Sequence, residues 1–372
     1  MKPSLSNTPA LSVRGRHAHR RNRSRIRLRS ASVVVLGATI ALATAASGGS
    51  AYANSRSSSL KTTHVTKLTK LIFGTPGAVP DTTSELTGAA GWALQQGKGQ
   101  AILKRFGYSY GGDVGFESGV PAEDALVGGS IQVAVIGGTP ALEGLDQGHA
   151  TRAIFANGAP TDLGIAAPSG GVTNVKQLAG KTVGVGVGTI MDQYLGYVLA
   201  KAGLTGKVTI DNLPNVADAY PALLNHSIDA YVDSASLVDE WAAKGGVKLI
   251  QSSAVSFPKY TSSDVAVVTD SFLNAHPNIE QAFWAVYSEG QSLIKAHPKP
   301  YLEWAAKEAL VPYSIEKATT NLPASFQSTP IPAAGVTATA QAQSFLLSQK
   351  LITKTTPLNK WFVAAPSKGT GS

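Results

Sequence analysis

A helix-turn-strand unit occurs twice in this chain at a constant offset, and that repetition constrains the fold more than any other feature. Ala125-Leu126-Val127 with Ser130-Ile131-Gln132-Val133-Ala134-Val135 matches Ala222-Leu223-Leu224 with Ser227-Ile228-Asp229-Ala230-Tyr231-Val232. In both copies a helix ends in a tight turn and feeds a strand. After each strand a small-residue loop opens a new helix: Gly137-Gly138-Thr139-Pro140 in one copy, Ser234-Ala235-Ser236 in the other.

Around these units, short apolar runs alternate with helical patterns from about residue 65 to 310, the βαβ rhythm of a parallel sheet. Strands are predicted near Val65–Phe73, Asp113–Phe116 and Gln132–Ile136, with helices near Ala89–Phe106 and Ala122–Val127. The rhythm restarts with strands at Thr182–Val187, Lys207–Asn212 and Asp229–Val232 and helices at Met191–Ala202 and Ala217–Leu224. Two α/β lobes follow. Long helices near Asn278–Ala296, Pro300–Ala309 and Ala338–Gln349 come after them. Phe283, Trp284, Val286, Tyr287 and Ile294 form an apolar helix face, read as core packing on a sheet.

The N-terminus has the grammar of a secretory signal: Lys2 and eight arginines, no acid, then an apolar run of sixteen residues from Ala31 to Ala46. A membrane span needs about 20 apolar residues, and this run ends at the small-residue site Ala51-Tyr52-Ala53. Cleavage is expected after Ala53, with residues 54–63 as a leader and 367–372 as a tail. An uncleaved anchor is the other reading of the same run. The Arg20-Arg21 pair also fits a twin-arginine address poorly, because Arg23 stands where a hydrophobic residue is expected.

Those nine basic residues account for the whole excess of 32 Lys and Arg over 23 Asp and Glu. The mature chain is formally neutral, which removes the case for nucleic-acid binding by phosphate neutralisation. The absence of cysteine excludes disulfides, thiolate metal sites, thiol nucleophiles and a lipid-modified N-terminal Cys. About 319 mature residues are enough for two domains of about 150 residues each. The expected product is a soluble extracytoplasmic protein.

Three strand-to-helix junctions share one design. Thr139 is placed to cap a helix with Pro140 at its first position, Thr189 with Asp192 has capping-box spacing, and Ser236 with Asp239 repeats it. In open α/β sheets ligands bind at the carboxyl ends of the strands, and helix N-termini there offer N–H groups and partial positive charge. Facing lobes would clasp a small anion between such loops. Ordinary capping is the alternative reading of each junction. Asp229 and Asp233 are read as turn and cap residues, with Asp233 also placed to meet a ligand amine.

Enzyme motifs fail. Gly180-Lys181-Thr182 lacks the first glycine of a phosphate loop, since position 175 is Val, and it precedes its strand. Gly184, Gly186 and Gly188 do not have dinucleotide-fingerprint spacing, and no G-x-S-x-G elbow or H-E-x-x-H motif is present. His64, His149, His226, His276 and His297 are scattered without ligand spacing. Neither a metal nor a cofactor is expected.

The run Ala125 to Ala134 followed by Gly137-Gly138-Thr139-Pro140-Ala141-Leu142 resembles a known family, the extracytoplasmic solute-binding proteins of ABC importers for aliphatic sulfonates, taurine and nitrate. The likeness continues through Leu178 to Val185, Gly188-Thr189, Leu199 to Leu204, Ser227 to Tyr231, Phe272-Leu273 with His276-Pro277, and Trp361-Phe362, from about residue 66 to 363. The resemblance implies a type II periplasmic-binding-protein fold: two α/β lobes, a hinge and a central ligand cleft. It places a discontinuous first lobe at 64–163 and 265–366, a second at 164–264, and hinge crossings near Asp162–Pro168 and Asp264–Asp270. It also implies that an acidic head group is held at Gly138-Thr139 and Gly188-Thr189, with Asp233 and Ser236 nearby. Where many members carry an aromatic-acid-proline stretch, this chain has Ser234-Ala235-Ser236, so the ligand's tail pocket differs. The implied protein is a monomeric, non-enzymatic receptor that delivers a small anionic, sulfonate-like solute to an ABC permease and its ATPase. A secreted enzyme on the same fold and a receptor presenting ligand to a membrane sensor are the alternatives.

Overall fold

In the computed structural model the two repeat units sit at equivalent places in two five-stranded sheets. The structure describes residues 67–76, 86–159, 161–258, 260–262, 264–309 and 311–363. The predicted signal (1–53), leader (54–63) and tail (367–372) lie outside the described residues.

The first sheet is built from β1 (Thr69–Pro76), β2 (Tyr108–Phe116), β3 (Val133–Gly137) and β4 (Thr151–Ala156). Helices α1 (Gly88–Gln95), α2 (Lys98–Arg105), α3 (Gly119–Val127) and α4 (Gly138–Gln147) connect them. The single helix expected over 89–106 is divided at Gly97, whose φ of 72° stops α1 and leads into α2. The second sheet holds β5 (Leu163–Pro168), β6 (Thr182–Val185), β7 (Thr209–Asn212), β8 (Ala230–Ser234) and β9 (Val247–Ser252). Its helices are α5 (Ile190–Ala202), α6 (Val216–Leu224) and α7 (Ala235–Lys244). A short helix α8 (Ser253–Ser256) leads back to β10 (Asp264–Thr269), which joins the first sheet. Helices α9 (Asp270–Ala275), α10 (Ile279–Ala296), α11 (Pro298–Glu308), α12 (Tyr313–Thr319), α13 (Leu322–Ser325), α14 (Ala333–Ser348) and α15 (Leu358–Trp361) complete the chain.

The strand orders are β2-β1-β3-β10-β4 and β7-β6-β8-β5-β9. The two are one order, with β10 and β5 as counterparts. Each sheet is mixed rather than wholly parallel as predicted, because β10 and β5 run antiparallel to both neighbours. The crossovers explain this. Each of these strands enters its sheet directly from the other half of the molecule, without the crossover helix a parallel strand requires.

The repeat holds residue by residue. Phe73 and Gly74 pair with Val133 and Ala134, as Val183 and Gly184 pair with Ala230 and Tyr231. Asp264 lies opposite Gly137, as Leu163 lies opposite Ser234. Even the bulge recurs, between Ala266 and Val267 in β10 and between Ile165 and Ala166 in β5. The shared Ser-Ile pair has a packing reason: Ile131 covers Gly74 and Ile228 covers Gly184, where a built Cβ would lie 2.3 and 3.0 Å from the isoleucine Cδ1 atoms. Gln132 Oε1 accepts from Ile72 N, and Asp229 Oδ2 from Thr182 N, both at 2.9 Å. Asp229 is thus a strand-anchoring residue, in line with its turn reading.

The spans expected to be hinges are themselves strands, β5 and β10. Asn157 and Asp162 lie on the segment that leads from β4 to β5, and Phe257 on the segment that leads from α8 to β10. Asn157 N donates to Asp264 O at 2.8 Å, and Asp162 accepts from the hydroxyls of Ser252 and Ser253 and from Ala254 N at 2.8 to 3.1 Å. Separate apolar cores lie beneath the sheets, one containing Leu71, Tyr108 and Ile154, the other Leu163, Val183 and Tyr194.

Candidate functional site

The carboxyl ends of both sheets open on one cleft of about 640 Å³. Pro76 ends β1, Gly137 ends β3 and Ser234 ends β8, and all three line it, together with Gly186 and Pro214 just beyond β6 and β7. Phe155, Phe283, Tyr287 and Tyr301 supply an aromatic wall, and Asn157 and Thr161 of the first crossing lie between the sheets. Phe283 and Tyr287 therefore serve two surfaces: Phe283 packs in the core as predicted and both also border the cleft.

Of the six residues singled out, Thr189 and Asp233 line the cleft, while Gly138, Thr139, Gly188 and Ser236 do not. The helix starts account for the difference. Helix α4 begins at Gly138 with Gly137 as its cap, so Thr139 lies inside the first turn and is fully buried. Its hydroxyl donates to Gln193 Oε1 of α5 at 2.9 Å instead of capping α4. Helix α7 begins at Ala235, which places Ser236 within its first turn. Its hydroxyl is 3.4 Å from that of Ser234, and no side-chain cap forms with Asp239.

The Thr189 junction forms as its spacing predicts. Thr189 Oγ1 accepts from Asp192 N at 3.4 Å and donates to Gly186 O at 2.6 Å, while Asp192 Oδ2 accepts from Gly188 N at 3.2 Å. The same bonds occupy the N–H groups of Gly188 and Asp192. They also put a carboxylate at the positive end of α5, stabilising the helix in the way a bound anion would. Glu143 of α4 reaches the same turn, its Oε2 lying 2.9 Å from a Cβ built on Gly188. Burial first, and then the nearby Asp192, push the Glu143 carboxyl up to about 7. Burial also raises Asp192, against the lowering bond from Gly188 N. Of the two helix starts expected to clasp an anion, the one at Thr189 borders the cleft and the one at Thr139 is turned inward to Gln193.

The charged residues among the described lining are all acids. Asp233, Asp264, Glu117 and Glu308 line the cleft, and among the described lining residues none is Lys, Arg or His. Asp233 is 7% exposed, and its Oδ1 accepts from Ser234 N at 2.7 Å. Burial pushes its carboxyl up to about 6, partly offset by the bonds from Ser234. Burial raises Asp264 as well. Sequence reasoning missed Asp264, Glu117 and Glu308. Asp264 is recognised only from the sheet pairing, which makes the fully buried Leu163 its counterpart in the second sheet.

Two α/β sheets of one topology, facing each other across a cleft at their strand ends, define a two-lobed periplasmic-binding-protein fold. A family model described as NMT1/THI5 like matches residues 117–300. The alkanesulfonate-binding protein SsuA from Xanthomonas axonopodis pv. citri, bound to MOPS, is similar in structure, with a TM-score of 0.64 at 19% identity over 80% of this chain and 99% of its own. The periplasmic aliphatic sulphonate binding protein SsuA from Escherichia coli gives 0.61 at 18%, over 79% and 97%. The desulfurization enzyme DSZB, as a cysteine-to-serine mutant in complex with biphenyl-2-sulfinic acid, gives 0.59 at 14%, over 79% and 96%. No curated protein matches the sequence. The resemblance and the fold read from the sequence hold.

Proposed function

We propose that this protein is the extracytoplasmic solute-binding component of an ABC importer, capturing a small organic solute by closure of its two lobes and presenting it to a permease and ATPase. One observation carries the reading: a duplicated sheet frame aims both sets of strand ends at a single cleft of about 640 Å³, large enough for a small organic molecule. The structural relatives that are binding proteins by name support it. The lobe limits of 64–163 with 265–366 and 164–264, a monomeric state, and export with cleavage after Ala53 belong to the same proposal. No described helix is long and apolar enough to cross a membrane.

Thermal shift of the mature chain against sulfonates, taurine, nitrate, bicarbonate, pyrimidine precursors and organic amines tests it. Stabilisation by at least one class, with a smaller radius of gyration in solution scattering, is the expected result. No shift from any class, with no solute released on denaturation, would sink it. The enzyme reading draws on DSZB, which shares the fold and whose mutated position is a cysteine, whereas this chain contains no cysteine. Mass spectrometry of the bound solute before and after incubation separates the two readings, and an unchanged mass is expected.

A further inference from the structure

We propose that the solute is an uncharged compound built on an aromatic ring system, held by apolar contact between the aromatic wall of the cleft and the aliphatic side chains of α5, α6 and β8. This solute class rests on the solute-binding reading, which it narrows.

The larger polar side chains of the lining already have partners within the protein. Gln291 Nε2 donates to Gln327 O at 3.1 Å, and its Oε1 accepts from Gln327 N at 2.6 Å. The hydroxyls of Tyr231 and Tyr287 donate to Leu213 O and Ser325 O at 3.2 and 3.3 Å. Thr189 is held in its capping box, and Asp233 accepts from Ser234 N. Asn157 Oδ1 accepts from Ala159 N at 3.1 Å, and Asp264 and Glu308 are likewise partnered. A charged or strongly polar solute would have to compete with these bonds, whereas an apolar one leaves them in place. An anion would in addition meet only acidic charge among the described lining residues.

Apolar surface is what the lining leaves open to a solute. Phe155, Phe283 and Tyr287 form one cluster, with the Phe155 ring centroid 5.3 Å from that of Phe283 and 4.6 Å from that of Tyr287. Tyr301 lines the same cleft. Ile190 and Met191 of α5, Val216 of α6 and Val232 of β8 line it from the other sheet, and Val216 is 36% exposed. The duplicated frame does not require the aromatic wall. Phe155 lies opposite Ala266 in β10, and the matching position of the second sheet, opposite Ile165 in β5, is Gln251. A ring thus stands on the cleft where the same ladder also folds with a polar side chain. Apolar surface left in water is stabilised when a solute covers it, and the volume of about 640 Å³ falls in the range that holds drug-sized organic molecules. A flat ring system offers one face to each wall, so closing the lobes over it buries both faces.

The decisive experiment uses three compounds that differ only in head group: 2-naphthylmethanol, 2-naphthylmethylammonium and 2-naphthylmethanesulfonate, titrated calorimetrically into the mature protein. Solute released on denaturation is identified in parallel by mass spectrometry and ultraviolet absorbance. The alcohol is expected to bind about tenfold tighter than either charged analogue, because each of those carries a charge into the cleft without a free partner. Any released solute should be uncharged and aromatic. Tyr287→Leu and Val216→Asp should each weaken binding of the alcohol about fivefold, by removing a ring face from one wall and apolar surface from the other. Tyr287→Phe, which keeps the ring and loses only the bond to Ser325, should retain most of it and so separates loss of the ring from loss of fold. Tighter binding of either charged analogue, a released solute that is charged or has no ring, or alcohol binding untouched by both Tyr287→Leu and Val216→Asp overturns the inference while leaving solute binding intact. No binding of any compound, with no released solute, overturns the solute-binding reading and this inference with it.

Discussion

The two lobes share a frame and differ at its working edge, and the difference shows what each part of the chain contributes. In the first lobe, the β3-to-α4 turn buries Thr139 and commits its hydroxyl to Gln193 of the other lobe. In the second, the β8-to-α7 turn presents Asp233 and Ser234 to the cleft. Pairing, bulge and the Ile-over-Gly contact are identical in kind across the lobes. A duplicated backbone can therefore keep its register while its loop chemistry diverges. Backbone ladders fix position, and side chains at strand ends are free to change wherever the core does not depend on them.

The most severe way to break this comparison is to attack the shared frame on both sides. Ile131 and Ile228 are 3% and 1% exposed, and Ile131→Ala and Ile228→Ala should each lower stability by about 2–5 kcal/mol in urea unfolding. A loss in one lobe far exceeding that in the other would show that the equivalence is geometric only.

Next comes the non-equivalent pair Ile136 and Asp233. The Asp233 carboxyl lies at about 6 in the folded protein against 3.8 ordinarily, so the folded state holds a proton that the unfolded chain has lost between those values. Its contribution is complete below about pH 4 and is lost as pH rises through 6, a loss of about 2–3 kcal/mol at neutral pH. Asp233→Asn should remove that part of the ligand-free stability profile measured from pH 4 to 7. Ser234 and Tyr231 stay unchanged beside it, and Asp264 and Glu308 share its cleft. An identical pH profile for wild type and variant would refute the assignment.

The two threonine junctions give smaller effects. Thr139→Val strands the buried Gln193 oxygen and should cost about 1–3 kcal/mol. Thr189→Val removes only a cap and should cost about 0.5–2 kcal/mol. Chemical denaturation ranks them, and the reverse order would mean that α5 depends on its cap more than the lobes depend on their bond. Smallest is Lys181→Ala, since the Lys181–Asp229 pair at 3.1 Å is largely exposed. A change under about 0.5 kcal/mol is expected by the same measurement, because Asp229 keeps its bond to Thr182 N. A larger loss would give the ion pair a role that its first-lobe counterpart Gln132 has no means to play.

Much of the frame was legible from residues alone. Ser130-Ile131 and Ser227-Ile228 gave away the duplication because packing over a glycine in the neighbouring strand demands the same shape twice. The Thr189-Asp192 spacing foretold its capping box because capping is local, settled within one helical turn. By contrast β4, β5, β9 and β10 are not legible as strands, and the expected hinges fall on two of them. Their place depends on crossings between sheets, which no period within one segment encodes.

The site divides along the same line. By itself the sequence determined the two-lobed frame, the strand ends as the edge on which the cleft opens, and Thr189 and Asp233 as residues of its lining, because each follows from contacts within a few tens of residues. Only the tertiary structure decided that Thr139 turns inward to Gln193, that α5 carries its own carboxylate, and that Asp264 comes to the same cleft as Asp233. The electrostatic sign of a cleft is set by which side chains meet across it. That meeting is fixed by the packing of two lobes, not by the residues of either one.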